Sequence, residues 1–474
     1  MARKLLLPAG TYPCQWICNG YSYDGDLRLE EEQAPGGEIF DDPGTLIGAD
    51  PTKSSPHSEF VPVLNGRTRA GHIVLLLDAE VRHRVPGLRS RWSSRSQVRA
   101  AMALVGPHLP DQATFSTVEF QVGGLTDLAG VHPFAEMNLP TRLVDDATFS
   151  ATWNKETRQT WTAANGDELR LDFNAHPSHR GLFGFSISTA PLLVASGVPR
   201  SAEDWMRQYV RPLAEVCTFA TLKAQPVSWV TLHHEDLDVR AQLFASDITQ
   251  QPYDAEPTES SKPLIQLGPD GVALPDLLAG WRSLQTTYTT FFDYLTVAMR
   301  ESMNVRSRFL ALVPALESFH VAEYGDGPVP RSEFKKERKR VLKRISELAE
   351  IDDADVEFLK TWLSPLGSYQ LAERLRELVA KELSEGLQQR VRARIEPLPH
   401  TLQGMVQSPA DVWAVMGTAR NRIAHGADNQ PSPEQLLTLT RLAHTVAVGT
   451  TLRRLGVPDT VLCAAIDDNR WRLI

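Results

Sequence analysis

The spacing of apolar residues in this 474-residue chain changes near residue 272, and no single repeated architecture accommodates both patterns. Up to that point apolar side chains come in short runs. Examples are Gln15-Trp16-Ile17-Cys18, His72-Ile73-Val74-Leu75-Leu76-Leu77, Thr117-Val118-Glu119-Phe120-Gln121-Val122, Gly184-Phe185-Ser186-Ile187-Ser188 and Val227-Ser228-Trp229-Val230-Thr231-Leu232. Several of these alternate apolar with polar residues and end at Gly, Pro, Asn or Asp, as strands with one face in water do. The same part holds 21 of the 32 prolines and 20 of the 30 glycines, the punctuation of frequent turns. It reads as a β-rich, antiparallel, sandwich-like domain. One helix interrupts it, starting at the capping hydroxyl of Ser201 with Asp204 three residues on, and placing Trp205, Tyr209 and Leu213 on one face.

Beyond residue 272 the period is 3.6. Apolar residues recur at three- and four-residue intervals over 277–299, 305–324, 333–348, 356–362, 370–383, 410–423 and 434–455, and a helical bundle is the economical way to bury so many stripes. Ser408-Pro409-Ala410-Asp411 and Ser432-Pro433-Glu434-Gln435 each place a capping hydroxyl before a proline at the first helical position. Gly426 falls where the helix that follows the first of these would end. The chain is therefore expected to be a multidomain α+β protein. Residues 1–250 form the β-rich domain, 251–275 a linker containing Thr258-Glu259-Ser260-Ser261-Lys262, and 276–474 the helical domain.

Charge separates the same two parts. Of the net −9, residues 1–272 carry 23 basic and 33 acidic side chains, and residues 273–474 carry 26 and 25. A negative surface repels phosphate backbones, so any nucleic acid belongs with the helical part. No apolar run nears the ~20 residues of a membrane span, and the three leucines after Lys4 are too short for a signal peptide, so a cytoplasmic protein with no membrane partner is expected. Four cysteines, at 14, 18, 217 and 463, are too few for a disulfide framework, and Cys14 and Cys18 lack a second ligand pair. His233 and His234 are adjacent in a strand and point to opposite faces. Neither a metal nor any other cofactor is expected.

Chemistry concentrates in Arg420-Asn421-Arg422-Ile423-Ala424-His425. An imidazole titrates near neutral pH, so His425 suits proton transfer to or from a ribose oxygen. Arg420 stays charged and offers a planar fork of donors to a phosphorane. Asn421, four residues before His425 on the same helical face, is placed to orient the imidazole or hold a phosphate oxygen. The plainer alternative is that Arg and His in a last turn only complement the helix dipole.

With these residues in place, the chain resembles the HEPN superfamily, and within it the Apea-like HEPN proteins of bacterial anti-phage defence. The resemblance rests on Arg420-Asn421-x-x-x-His425, on the earlier helix with Phe309-Leu310-Ala311-Leu312-Val313-Pro314-Ala315-Leu316-Glu317, and on Phe120-Gln121-Val122-Gly123-Gly124-Leu125 and Pro212-Leu213-Ala214-Glu215-Val216-Cys217 in the first part. It implies a metal-independent endoribonuclease acting in abortive infection, with Arg420, Asn421 and His425 as catalytic residues. It further implies a β-rich N-terminal domain of the ApeA type that senses infection through a phage-derived trigger. One His per chain for two proton transfers predicts a homodimer, or a higher even oligomer, with a composite site. The products are a 2′,3′-cyclic phosphate and a 5′-hydroxyl. Transfer RNA loops are an accessible substrate, though no residue selects them over messenger RNA. A HEPN unit that only dimerises or binds a ligand is the alternative.

Further candidates accompany the motif. Arg422, Lys335, Lys336, Lys339 and Arg340 are candidate RNA-binding residues, the last four within a run of eight basic and two acidic side chains over 331–344. Six arginines, Arg82, Arg84, Arg89, Arg91, Arg95 and Arg99, lie in the acidic domain, where pairing with Asp78 and Glu80 competes with a docking role. Glu317 is expected to support the site or to be a structural carboxylate paired with Arg420 or Arg422.

Overall fold

The computed structural model describes residues 6–18, 21–40, 58–83, 95–109, 114–131, 133–138, 150–153, 158–179, 185–234, 237–251, 263–268, 270–299, 303–325, 331–347, 352–362, 370–395, 412–426 and 430–468. They divide into two compact units, Met1–Thr221 with Gln225–Ala279, and Gly280–Ile474 with Leu222–Ala224.

In the first unit β1 (Gly10–Cys18), β2 (Tyr21–Leu29), β3 (Gly36–Ile39), β4 (Ser58–Thr68), β5 (Ile73–His83) and β6 (Ser96–Arg99) form a closed antiparallel barrel. The order runs β5-β4-β1-β2-β3-β6, and β6 returns to pair with β5. Closure demands close backbone approach. A Cβ on Gly37 would lie 1.9 Å from the Asp26 carbonyl oxygen, and one on Gly36 2.3 Å from that of Val98, so glycine alone fits. Trp16, Leu27, Leu29, Ile39, Leu76 and Val81 belong to the buried core of this region. The indole N–H of Trp16 donates to the Glu38 carbonyl oxygen at 3.2 Å, which satisfies the polar edge of that ring.

The last strand of the barrel's wall also begins an open sheet. Along one edge of β5, residues 80–83 pair with β6, whereas residues 73–77 pair with β7 (Met102–Gly106). The change falls at Asp78, which has a left-handed backbone with φ of 51°. From β7 the sheet continues through β15 (Leu237–Ala245), β14 (Val227–His234), β8 (Thr114–Val122), β13 (Phe185–Ser201), β12 (Glu168–His179) and β11 (Gln159–Thr162). Strands β9 (Phe134–Asn138) and β10 (Ser150–Trp153) pair separately. The β-rich antiparallel class read from the sequence is what forms. Apart from the β9–β10 pair, its described strands belong to one continuous thirteen-stranded sheet curled shut at one end, where the sequence suggested facing sheets.

Helices α1 (Leu125–Ala129), α2 (Ala202–Trp205) and α3 (Arg211–Thr221) accompany the sheet, the last two joined by a π-helical turn at Met206–Val210. Ser201 Oγ accepts from the Asp204 N–H at 3.1 Å, and Trp205, Tyr209 and Leu213 are buried, as their spacing requires. Beneath the π turn, Asp167 accepts from the Tyr209 hydroxyl at 2.5 Å and from Arg200 at 2.7 Å. Burial, reinforced by Asp167, pushes the Tyr209 phenol up to about 12. Within the stretch read as a linker, Leu264, Ile265 and Leu267 are buried, and Leu264 N–H bonds the Ala220 carbonyl at 2.7 Å. Residues 252–262, with the polar run, lie outside the described residues.

The second unit is helical. Its described helices are α4 (Leu274–Thr287, within which the division falls), α5 (Thr289–Ala298), α6 (Val305–Tyr324), α7 (Arg331–Ser346), α8 (Asp353–Trp362), α9 (Leu371–Glu382), α10 (Glu385–Ile395), α11 (Val412–Ala424), α12 (Pro433–Arg454) and α13 (Asp459–Asp467). The single helix expected over 277–299 is broken at Tyr288, whose backbone (φ −121°, ψ 47°) leaves the helical region. Its ring packs on Phe319 at 4.5 Å and its hydroxyl donates to Glu323. Helices α6 and α12 run parallel: Arg306 meets Gln430 near their starts and Glu323 meets Arg454 near their ends. Helix α9 follows α6 in the same sense, through Glu317 with Arg374 and His320 with Glu377.

Candidate active site

Helix α11 presents the motif because its sequence has two faces. Val412, Val415, Met416, Ala419 and Ile423 recur at three- and four-residue steps and are buried, with α9 and α6 as packing partners. A Cβ on Gly417 would meet Leu371 at 3.8 Å, which places the first turn of α9 against the middle of α11. Arg420 and Arg422 are half-buried, and Asn421 and His425 are exposed. Burial of the apolar stripe thus leaves Asn421 and His425 open to water and the two arginines partly so.

The helix ends at Ala424, one residue before the imidazole. His425 N–H still bonds the Asn421 carbonyl oxygen at 3.0 Å, while Gly426 takes a left-handed φ of 65° and turns the chain away. Arg420 Nη1 donates to Asn421 Oδ1 at 3.0 Å. That bond assigns the carboxamide, with its oxygen toward the guanidinium and its NH2 left as an outward donor. Among the described residues no hydrogen bond joins Arg420 to His425. A cation, an amide donor and an imidazole therefore share one exposed helix end without neutralising one another.

A further cation is held by the chain that follows this end, and sequence reading missed it. Asn304 caps α6 by accepting from the Ser307 N–H at 3.0 Å, and Arg306 in the first turn donates to Gln430 Oε1 at 2.5 Å. Gln430 follows Gly426 by four residues, a reach of at most ~14 Å. Only the three-dimensional pairing joins Arg306 to Gln430; a separation of 124 positions hides it from any local pattern.

The other candidates separate. Glu317 is about one third exposed and pairs with Arg374 at 3.4 Å, so its partner is neither Arg420 nor Arg422. Lys335, Lys336, Lys339 and Arg340 are exposed on α7, whose principal packing partner is α8. In the first unit Arg82 pairs with Glu80 at 2.9 Å and Arg95 with Glu38 at 3.3 Å; Arg84, Arg89 and Arg91 lie outside the described residues. His233 is 3.5 Å from Glu119. Among the described residues no group of three or more His, Cys, Asp or Glu is arranged to hold a metal ion, and no helix is long and apolar enough to cross a membrane. The Ser408-Pro409 start of the motif helix lies outside the described residues, whereas the Ser432 capping box before α12 is formed, with both of its hydrogen bonds present.

Fold and cluster together define a two-part protein, with a β-rich first half and a helical second half that gathers Arg420, Asn421 and His425 at one helix end. Residues 20–281 match the family described as ApeA N-terminal domain 1, and residues 310–461 match Apea-like HEPN. The chain belongs to the ApeA-type family of HEPN proteins. HEPN domains are in general associated with ribonucleases. No curated protein matches the chain, and no solved structure does.

Proposed function

We propose that the protein is a metal-independent endoribonuclease of an anti-phage defence system, cleaving RNA at a site built around Arg420, Asn421 and His425. The observation that carries this reading is their grouping at the end of α11, with half-buried Arg420 bonded to exposed Asn421 and the exposed imidazole at the adjoining turn. His425 removes the proton of a ribose 2′-hydroxyl. The 2′-oxygen then attacks phosphorus, and the bond to the 5′-oxygen breaks. Arg420 and the Asn421 amide stabilise the charge gathered on the non-bridging oxygens. The leaving 5′-oxygen takes a proton from His425 of the partner subunit, so the reading includes a two-fold homodimer. A 2′,3′-cyclic phosphate and a 5′-hydroxyl result.

The family supports the defence setting, since the two matched regions are those of ApeA-type anti-phage HEPN proteins. In that setting the N-terminal unit answers to a phage-derived trigger. Purified wild type and His425→Ala, incubated with total RNA and transfer RNA in EDTA, provide the test. Cleavage by wild type alone, leaving cyclic phosphate ends, is the expected result; equal RNA patterns for the two proteins overturn the assignment.

A further inference from the structure

We propose that α7 is an RNA-binding arm, whose two rows of cations hold successive phosphates of the substrate strand away from the cleavage cluster. The inference rests on the reading of RNA as substrate. Lys335, Lys339 and Lys343 stand at i, i+4 and i+8, forming one ridge along the helix. Lys336, Arg340 and Arg344 form the next ridge at the same steps. Each step rises ~6 Å along the axis, comparable to the stride between neighbouring phosphates of a strand, and the six cations spread over roughly half of the circumference.

All six of these side chains are exposed, and Leu342 is the one buried residue among those of α7 whose side chains are described. Among the described residues Lys335, Lys336 and Lys339 make no hydrogen bond or ion pair. Arg340 pairs with Glu337, and Lys343 approaches Glu347 at 3.8 Å. Such exposed pairs contribute little and exchange readily for a phosphate. A helix face that serves only as a solvated surface interleaves both signs at i, i+4, because like charges at that spacing repel. Here six cations share the water-facing side with the exposed Glu333, Glu337 and Glu347, so the face stays strongly basic in sum.

The ligand is a phosphate chain rather than a lipid surface. A membrane-seated helix needs an apolar face to insert, but Phe334, Leu342 and Ile345 are half-buried or buried, and α7 packs on α8, where Val356 is buried. The basic ridges carry no aromatic or leucine row.

The test uses the full chain carrying His425→Ala, so that RNA survives the measurement. Binding of a short labelled oligouridylate is followed by anisotropy over a range of NaCl concentrations. Adding K335E/K339E/K343E is expected to weaken binding by ~10-fold or more and to flatten the slope of log Kd against log salt by about 2, near 0.7 for each phosphate released. K335Q/K339Q/K343Q should fall between, with melting temperature and helical signal unchanged in both. Unaltered affinity and slope in the Glu variant overturn the arm, as does failure of the parent to bind RNA. Equally damaging is capture of the parent by phosphatidylserine vesicles with no RNA affinity. Arm-dependent binding by a wild type that leaves RNA intact defeats the nuclease reading and keeps the arm; cleavage with arm-independent binding does the reverse.

Discussion

Arg306, in the first turn of α6, donates to the side-chain oxygen of Gln430, a short way beyond His425. The pair ties the start of one helix to Gln430, just ahead of α12, and it keeps a permanent cation on the chain that follows the motif. Arg306→Ala is expected to raise the KM for RNA several-fold while leaving kcat nearly constant. Because the pair is exposed, stability should change by less than ~1 kcal/mol. Steady-state cleavage kinetics alongside thermal melting check both halves of the expectation.

Loss of the motif should be chemical rather than structural. His425→Ala removes an exposed group and Arg420→Ala a half-buried one hydrogen-bonded to exposed Asn421, so cleavage should drop by ~10²- to 10⁴-fold. Melting temperatures should stay near that of wild type, since exposed substitutions usually move stability by ~0.5 kcal/mol or less. A large fall in melting temperature for either variant would reassign these residues to the packing of α11.

Gly197 offers a test of the first unit. A Cβ there would lie 1.8 Å from Asp167 Oδ1, the oxygen that also accepts from Arg200 at 2.7 Å. Gly197→Ala must displace a buried carboxylate from its partners and is expected to destabilise the protein by ~2–4 kcal/mol. Tyr209→Phe, which removes one donor and leaves the volume almost unchanged, should cost less. Chemical denaturation of the two variants gives the comparison.

Acid should loosen the helical unit through one cluster. Hydrogen bonds from Tyr288 and then Arg454 hold Glu323 below the usual carboxylate range. For Glu382 burial pushes upward, but the bonds from Arg454 and Tyr324 outweigh it and the net shift is downward. Depressed carboxylate values mean that the stabilisation is fully present above about pH 4.5 and is lost as pH falls through the lower folded values. Arg454→Gln should therefore lower stability near neutrality and flatten its decline in acid, as read from melting temperature against pH.

His444 is a second source of pH dependence, with a higher onset. It is wholly buried beside Arg308, and burial first, then that guanidinium, lower its pKa to about 3. The folded state resists the proton that the unfolded chain accepts near 6.5, so stability declines as pH drops from about 6.5 toward 3. His444→Gln should remove this component while sacrificing the 3.3 Å contact with Met299 Sδ. A scan of melting temperature between pH 7 and 4 that keeps the wild-type slope would show that His444 does not titrate in this way.

Local pattern revealed what local physics determines. The strands at 15–18, 72–77, 117–122, 184–188 and 227–232 coincide with β1, β5, β8, β13 and β14, because alternation and punctuation act over a few residues; His72 directly precedes β5, and Gly184 is outside the described residues. The caps at Ser201 and Ser432 form for the same reason. Helix α10 escaped notice because, among its described side chains, Leu387 and Val391 are the two that are fully buried, too sparse a stripe to register as periodic. Barrel closure depends on β6 finding both β3 and β5, a matter of long-range pairing that no window of sequence contains. At the candidate site the motif was legible as a string, whereas Arg306 and the Arg374 partner of Glu317 were not, since each contact joins residues far apart in the chain.

The shared strand gives the N-terminal domain an unusual mechanical property. One stretch of β5 backbone seals the barrel and the next begins the open sheet, with the bend at Asp78 between them. Prising β6 from the rim would pull directly on the backbone from which seven further strands hang. Displacing β6 would therefore act on the same strand that anchors the open sheet.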